Sequence, residues 1–116
     1  MSGLLGAAEI REIAERIGVR PTKKLGQNFV VDANTCRKIV KSADVGPQDI
    51  ALEIGPGLGS LTLAMLESAK SVIAIEIDDR LATELPATAD RHGFDSAKLT
   101  IINADARAIS ELPGNP

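Results

Sequence analysis

Three short apolar runs in this chain each end in a residue that a nucleoside ligand could use. Ile50-Ala51-Leu52 leads into Glu53-Ile54-Gly55-Pro56-Gly57-Leu58-Gly59. The missing Cβ atoms there let a ligand approach the backbone, and the following helix offers unpaired N–H groups. Ser71-Val72-Ile73-Ala74-Ile75 is followed by Glu76, 21 residues beyond Gly55. A carboxylate at that spacing can accept two hydrogen bonds from ribose hydroxyls. Leu99-Thr100-Ile101-Ile102 leads into Asn103-Ala104-Asp105-Ala106. Asp105 can accept from the exocyclic amine of adenine while the Ala106 N–H donates to a ring nitrogen.

Two ligand classes compete for this pattern. A dinucleotide fingerprint needs its third glycine at position 60, where this chain has Ser60; its glycines fall at 55, 57 and 59. A pyrophosphate turn is therefore disfavoured. The acids at Glu53 and Asp105 suit S-adenosylmethionine, whose amine-bearing, cationic methionine end fits a carboxylate-rich pocket better than a pyrophosphate does. The remaining reading, structural glycines with surface acids, requires three independent coincidences at strand ends.

Positioning these residues requires a parallel sheet with crossover helices, because the short Ile/Val-rich runs alternate with helical patterns. All three strand ends then lie on one edge, where open α/β sheets bind ligands. The apolar run Leu61–Ala69 predicts one crossover helix, and Asp78 opens another. That second helix has Leu81, Leu85 and Ala89 as core contacts, and Pro86 is expected to kink or restart it. His92, beside Gly93, reads as an exposed turn residue. Upstream, Ile10, Ile13, Ala14 and Ile17 predict an amphipathic helix over residues 7–17, stopped by Gly18. Asp32 can cap a helix whose stripe is Cys36, Ile39, Val40 and Ala43, which makes Cys36 a small buried apolar residue.

The 116 residues are 44% hydrophobic and 25% charged, as in a globular domain. There is no Trp or Tyr, and the aromatics are Phe29 and Phe94, so no chemistry can rest on a tyrosine or tryptophan of this chain. One cysteine excludes an internal disulfide and an all-cysteine metal site. Acidic residues begin at Glu9, ahead of any signal-like apolar run, and no stretch approaches the roughly 18 apolar residues of a membrane span. A cytoplasmic location is expected. The net charge of -3 hides an asymmetry. Residues 1–48 carry eight Lys or Arg against five Asp or Glu, while residues 49–116 carry five against eleven. Arg16, Arg20, Lys23, Lys24, Arg37, Lys38 and Lys41 form the basic segment, either a solvated surface or a set of phosphate contacts. The expected division is a basic helical segment, 1–48, followed by the first half of an α/β domain, 49–116.

Lys24-Leu25-Gly26-Gln27-Asn28-Phe29, then Leu52-Glu53-Ile54-Gly55-Pro56-Gly57-Leu58-Gly59-Ser60-Leu61-Thr62, then Ala74-Ile75-Glu76-Ile77-Asp78, then Asn103-Ala104-Asp105-Ala106, resembles the N-terminal part of the ribosomal RNA adenine dimethyltransferases. The bacterial small-subunit members, whose loss gives kasugamycin resistance, are most similar. The Gly-Gln-Asn-Phe element is the most specific part, and the resemblance runs from about residue 20 to the end.

The resemblance implies a partial Rossmann-like, S-adenosylmethionine-dependent methyltransferase fold: three parallel strands with helices after an N-terminal helical segment. It implies cofactor contacts from Asn28 and the backbone of Val30, where the family often has Leu, and from Gly55 and Gly57 beside the methionine portion. Glu76 would hold the ribose and Asp105 the adenine amine. No metal is implied. The implied reaction is N6,N6-dimethylation of two adjacent adenosines near the 3′ end of small-subunit ribosomal RNA, on the immature 30S subunit. The family's catalytic Asn-Leu-Pro-Tyr segment is absent here, since there is no Tyr. The chain is thus expected to be an N-terminal fragment, inactive by itself and without the family's C-terminal RNA-binding domain. Strand order 3-2-1 would leave residues 50–54 as an exposed apolar edge, expected to dimerise or exchange strands. The alternative functions are an RNA-binding assembly factor and a fragment of a nucleotide-binding oxidoreductase.

Overall fold

The computed structural model describes residues 4–18 and 33–108. Its helices are α1 (Ala7–Ile17), α2 (Ala33–Ser42), α3 (Ser60–Ser68) and α4 (Asp79–Arg91). Its strands are β1 (Ile50–Ile54), β2 (Ser71–Ile75) and β3 (Leu99–Ile102), with single 3-10 turns at Ser96–Lys98 and Ala106–Ala108. The strands form one parallel sheet in the order β1-β2-β3. Ile50 pairs with Ser71 and Ile54 with Ile75, while Val72 pairs with Leu99 and Ile75 with Ile102. The three carboxyl ends therefore lie level on one edge.

One sheet face carries Ala51, Val72 and Leu99, which pack with residues of all four helices: Ile13 from α1, Cys36 and Val40 from α2, Leu63 and Leu66 from α3, and Leu81 and Ala89 from α4. On the other face Leu52 and Ile54 are exposed. Among the described residues, β1 pairs only with β2, so the predicted apolar edge is present. α3 is apolar nearly all round and accordingly buried, which fixes the loop that precedes it.

α1 ends as its sequence predicts. Gly18 adopts φ 76°, and its N–H closes on the Ala14 and Glu15 carbonyls. Arg80 reaches the Gly18 carbonyl at 2.8 Å. Arg16 forks onto Glu84 of α4 at 3.2 and 2.9 Å, which sets the register of α1 on α4.

Three expectations are corrected. His92 is not an exposed turn residue: its Nε2 lies 2.9 Å from both Glu9 oxygens, so it ties the end of α4 to the start of α1. Pro86 does not restart α4, which is continuous over Asp79–Arg91; the ring lies on the exposed side, where losing one backbone donor is tolerated. In α2, Cys36 and Val40 are buried, but Ile39 is exposed and Ala43 lies beyond the helix end. The helix is turned so that Arg37 forks onto Glu67 of α3 at 3.0 and 2.9 Å, which leaves Ile39 beside a cleft.

Candidate ligand site at the strand ends

Glu76 directly follows β2 and is only 5% exposed. Its Oε1 accepts from the Gly57 N–H at 3.2 Å and its Oε2 from the Asp78 N–H at 3.0 Å. One carboxylate thus joins the glycine loop after β1 to the segment that opens α4. Asp78 caps that helix by accepting from the Arg80 and Leu81 N–H groups at 2.8 and 3.2 Å. The Glu76 backbone continues the sheet: its N–H donates to Ile102 O at 2.9 Å, and its carbonyl accepts from the Ala104 N–H at 3.1 Å and from Asn103 Nδ2 at 3.0 Å. Asn103 therefore holds the β2 and β3 ends together, a role its position in the sequence did not signal.

A cleft of about 230 Å³ opens here, lined by Gly55, Glu76, Ile77, Asp105, Ala106 and Arg107 among others. It gathers one predicted residue from each strand end. Asp105 accepts from the Arg107 N–H at 2.9 Å and from the Arg107 guanidinium at 2.6 to 3.1 Å. Those hydrogen bonds hold its carboxyl below the usual range. Ile54 and Ile77, each 65% exposed, flank the cleft as apolar walls that the sequence reading missed. The signal available was the bare apolar residue directly after each strand-end acid.

The glycines divide by role. Gly55 sits at φ 71°, and a Cβ there would meet nothing within 4 Å, so its open side faces the clefts. Gly59 sits at φ 102°, and a Cβ there would lie 2.3 Å from Leu85 Cδ1 of α4. Gly59 is thus required by packing, not by a ligand. Gly57, at φ 61°, supplies the N–H that Glu76 accepts. Asn28 and Val30 lie outside the described residues.

A second cleft of about 210 Å³ shares Gly55 with the first and is lined by Cys36, Ile39, Glu53, Ser60 and Leu61. Thr62 Oγ1 donates a short hydrogen bond to Glu53 Oε1. Burial, reinforced by the nearby Glu76 charge and opposed by Thr62, pushes the Glu53 carboxyl up to about 7. The larger cleft between α2 and α3, about 380 Å³, holds the Arg37–Glu67 pair and none of the strand-end residues.

The sequence profile of ribosomal RNA adenine dimethylases matches residues 19–111. The chain belongs to the ribosomal RNA adenine dimethylase family. Among its relatives, the ribosomal RNA small subunit methyltransferase A of Kineococcus radiotolerans is 54% identical over 116 residues, covering 100% of this chain and 39% of that protein. The protein of the same name from Streptomyces avermitilis is 58% identical over 114 residues, covering 97% of this chain and 39% of its own length. The chain thus spans well under half the length of these curated relatives. The crystal structure of a dimethyladenosine transferase from Plasmodium falciparum superposes with a TM-score of 0.63 at 33% identity, covering 70% of this chain and 29% of that one. For this dimethylase-family chain, the expected Rossmann-like α/β class of methyltransferases is therefore established. No helix among the described residues is long and apolar enough to cross a membrane.

Proposed function

We propose that this chain forms the S-adenosylmethionine-binding part of an enzyme that dimethylates N6 of two adjacent adenosines near the 3′ end of small-subunit ribosomal RNA. The observation that carries the reading is the single cleft joining Gly55, Glu76 and Asp105 at level strand ends. The Glu76 carboxylate retains lone pairs beyond its two backbone bonds and would accept from the ribose hydroxyls. Asp105, on giving up part of its bonding to Arg107, and the Ala106 N–H would meet the adenine edge, and Ile54 and Ile77 would offer it apolar contact. Toward the other end of the ligand lies Glu53. Glu53, beside the glycine loop, would disfavour the pyrophosphate of a dinucleotide and attract a ligand bearing a sulfonium and an ammonium. Bound there, the cofactor supplies an electrophilic methyl group. Orientation is then the main demand on the protein.

Asn28 and Val30 are proposed to cover the cofactor. The base-stacking tyrosine that the resemblance implies has no counterpart in this sequence, so the chain by itself is expected to bind cofactor without methylating RNA. The substrate is proposed to be the immature 30S subunit in the cytoplasm. The assembly-factor reading is weaker, since Arg37, one of its phosphate-contact cations, is committed to Glu67. A chimera of the Kineococcus radiotolerans relative carrying these 116 residues in place of its own tests the proposal. Restored dimethylation of small-subunit RNA is expected, and a folded but inactive chimera would overturn it.

The exposed β1 edge, with Leu52 and Ile54 beside it, is proposed to recruit a second copy of the chain. Sedimentation of the isolated chain should show mass rising with concentration. A well-folded monomer at high concentration would contradict this.

A further inference from the structure

Arg80 makes none of the cofactor contacts proposed above, yet its guanidinium joins the end of α1 to the start of α4. Its Nη1 donates to the Gly18 carbonyl at 2.8 Å, while its Nη2 and Nε donate to the Asp78 carboxylate at 3.1 and 3.4 Å. The Asp78 backbone N–H in turn donates to Glu76 Oε2 at 3.0 Å. An unbroken line of hydrogen bonds thus runs from α1 to the carboxylate proposed to hold the ribose. Gly18 supplies a carbonyl at the negative end of α1, where a cation is favoured, and a Cβ there would lie 3.6 Å from Arg80 Nη1. The Arg80 side chain is 53% exposed, and ion pairs so open to water add little stability. What the fork supplies is direction. It fixes an Asp78 side chain that also accepts from the Arg80 and Leu81 N–H groups, and so aims the Asp78 N–H at Glu76. α1 is seated on α4 at two other points, Arg16 on Glu84 and Glu9 on Arg91 and His92. None of these five residues lines a strand-end cleft.

We propose that Arg80 is a positioning residue for cofactor binding: by tying Asp78 to the end of α1, it holds the Glu76 carboxylate in the orientation that receives the ribose. This rests on the S-adenosylmethionine reading. It gives α1, which lies outside the residues 19–111 matched by the family profile, a part in that site. Arg80 itself lines neither strand-end cleft and acts through Asp78. Of the two backbone donors to Glu76, Gly57 belongs to the glycine loop, and the Asp78 N–H is the one that Arg80 governs. Coupling of this kind is reciprocal, so a ligand seated on Glu76 must also steady the end of α1.

The test is calorimetric titration of S-adenosylhomocysteine into the chain and its variants, with the stability of each read by urea denaturation. Arg80→Ala should weaken binding about fivefold, and Arg80→Lys, which can reach one partner but not fork across both, about twofold. Arg16→Ala and Glu9→Ala loosen α1 at its other two seats, and should lower stability yet leave affinity unchanged. In a Glu76→Gln background Arg80→Ala should cost no further affinity, because the group it positions is gone. Unchanged affinity in folded Arg80→Ala, equal weakening by Arg16→Ala, or the full loss on top of Glu76→Gln would overturn the proposal while leaving the cofactor reading intact. No binding by the unaltered chain would overturn the two together. If Arg80→Ala does not fold, hydrogen exchange in the unaltered chain decides. Saturating ligand should slow the Gly18 amide more than the Ile10 amide at the other end of α1, and equal slowing would overturn the proposal.

Discussion

Glu76→Ala is expected to abolish detectable S-adenosylmethionine binding and to lower stability at the same time. The side chain is buried and accepts from the Gly57 and Asp78 N–H groups, so truncation leaves two backbone donors unmet. Each hydrogen bond to a charged group is worth about 1.5 to 3 kcal/mol, so the loss of both corresponds to a destabilisation of about 3 to 6 kcal/mol. The proposed ribose contacts disappear as well, and at 1.4 kcal/mol per tenfold their loss corresponds to about 100-fold or more in affinity. Glu76→Gln separates the two effects. It keeps the volume and one acceptor, so urea denaturation should show less than half of the alanine loss, while calorimetry should still show about tenfold weaker binding. Wild-type affinity in either folded variant would remove Glu76 from the site.

Gly59→Ala should be the most destabilising single change in the glycine loop, and Gly55→Ala among the mildest. At Gly59 an L residue is forced to φ 102°, and its new Cβ would lie 2.3 Å from Leu85 Cδ1. Left-handed backbone costs a non-glycine residue about 1 to 2 kcal/mol, and overpacking a closed core adds about 1 to 3 kcal/mol. Leu85 is 1% exposed and has little room to yield. At Gly55 the strain remains, but the Cβ meets nothing within 4 Å, so the stability loss should be about 1 kcal/mol. Because that Cβ enters the clefts, ligand binding should fall sharply. Denaturation midpoints check the contrast, and the Leu85→Ala, Gly59→Ala pair checks its cause: relief of the overlap should make the double variant less damaged than the two single losses added together. Additive losses would mean that Leu85 is not what Gly59 accommodates.

Much of this architecture is legible along the chain because its causes are local. The Ile/Val runs, the Ile10-Ile13-Ala14 stripe, the Gly18 stop and the Asp78 cap each depend on neighbours a few residues away, and each appears where its spacing predicts. The strand-end residues Gly55, Glu76 and Asp105 are likewise readable, since parallel pairing must bring them to one edge. What sequence reading misses depends on distant partners. His92 finds Glu9 across 83 positions, and Arg16 finds Glu84 across 68. The alternation of glycines at 55, 57 and 59 suggests a uniform ligand loop, yet Gly59 answers to Leu85 and Gly57 to Glu76. Ile39 fits the helical stripe but faces a cleft, because the Arg37–Glu67 fork sets the rotation of α2. The absence of tyrosine, visible at once in the composition, separates the cofactor half of the proposed activity from the RNA half.

The strand-end clefts are expected to accept a sulfonium-bearing nucleoside and to refuse a dinucleotide. Competitive titration of S-adenosylmethionine and of a nicotinamide dinucleotide into the same sample tests it most directly. The predicted result is saturable binding of S-adenosylmethionine, lost in Glu76→Ala, with no displacement by the dinucleotide. Tight dinucleotide binding, or S-adenosylmethionine binding indifferent to Glu76, would contradict it.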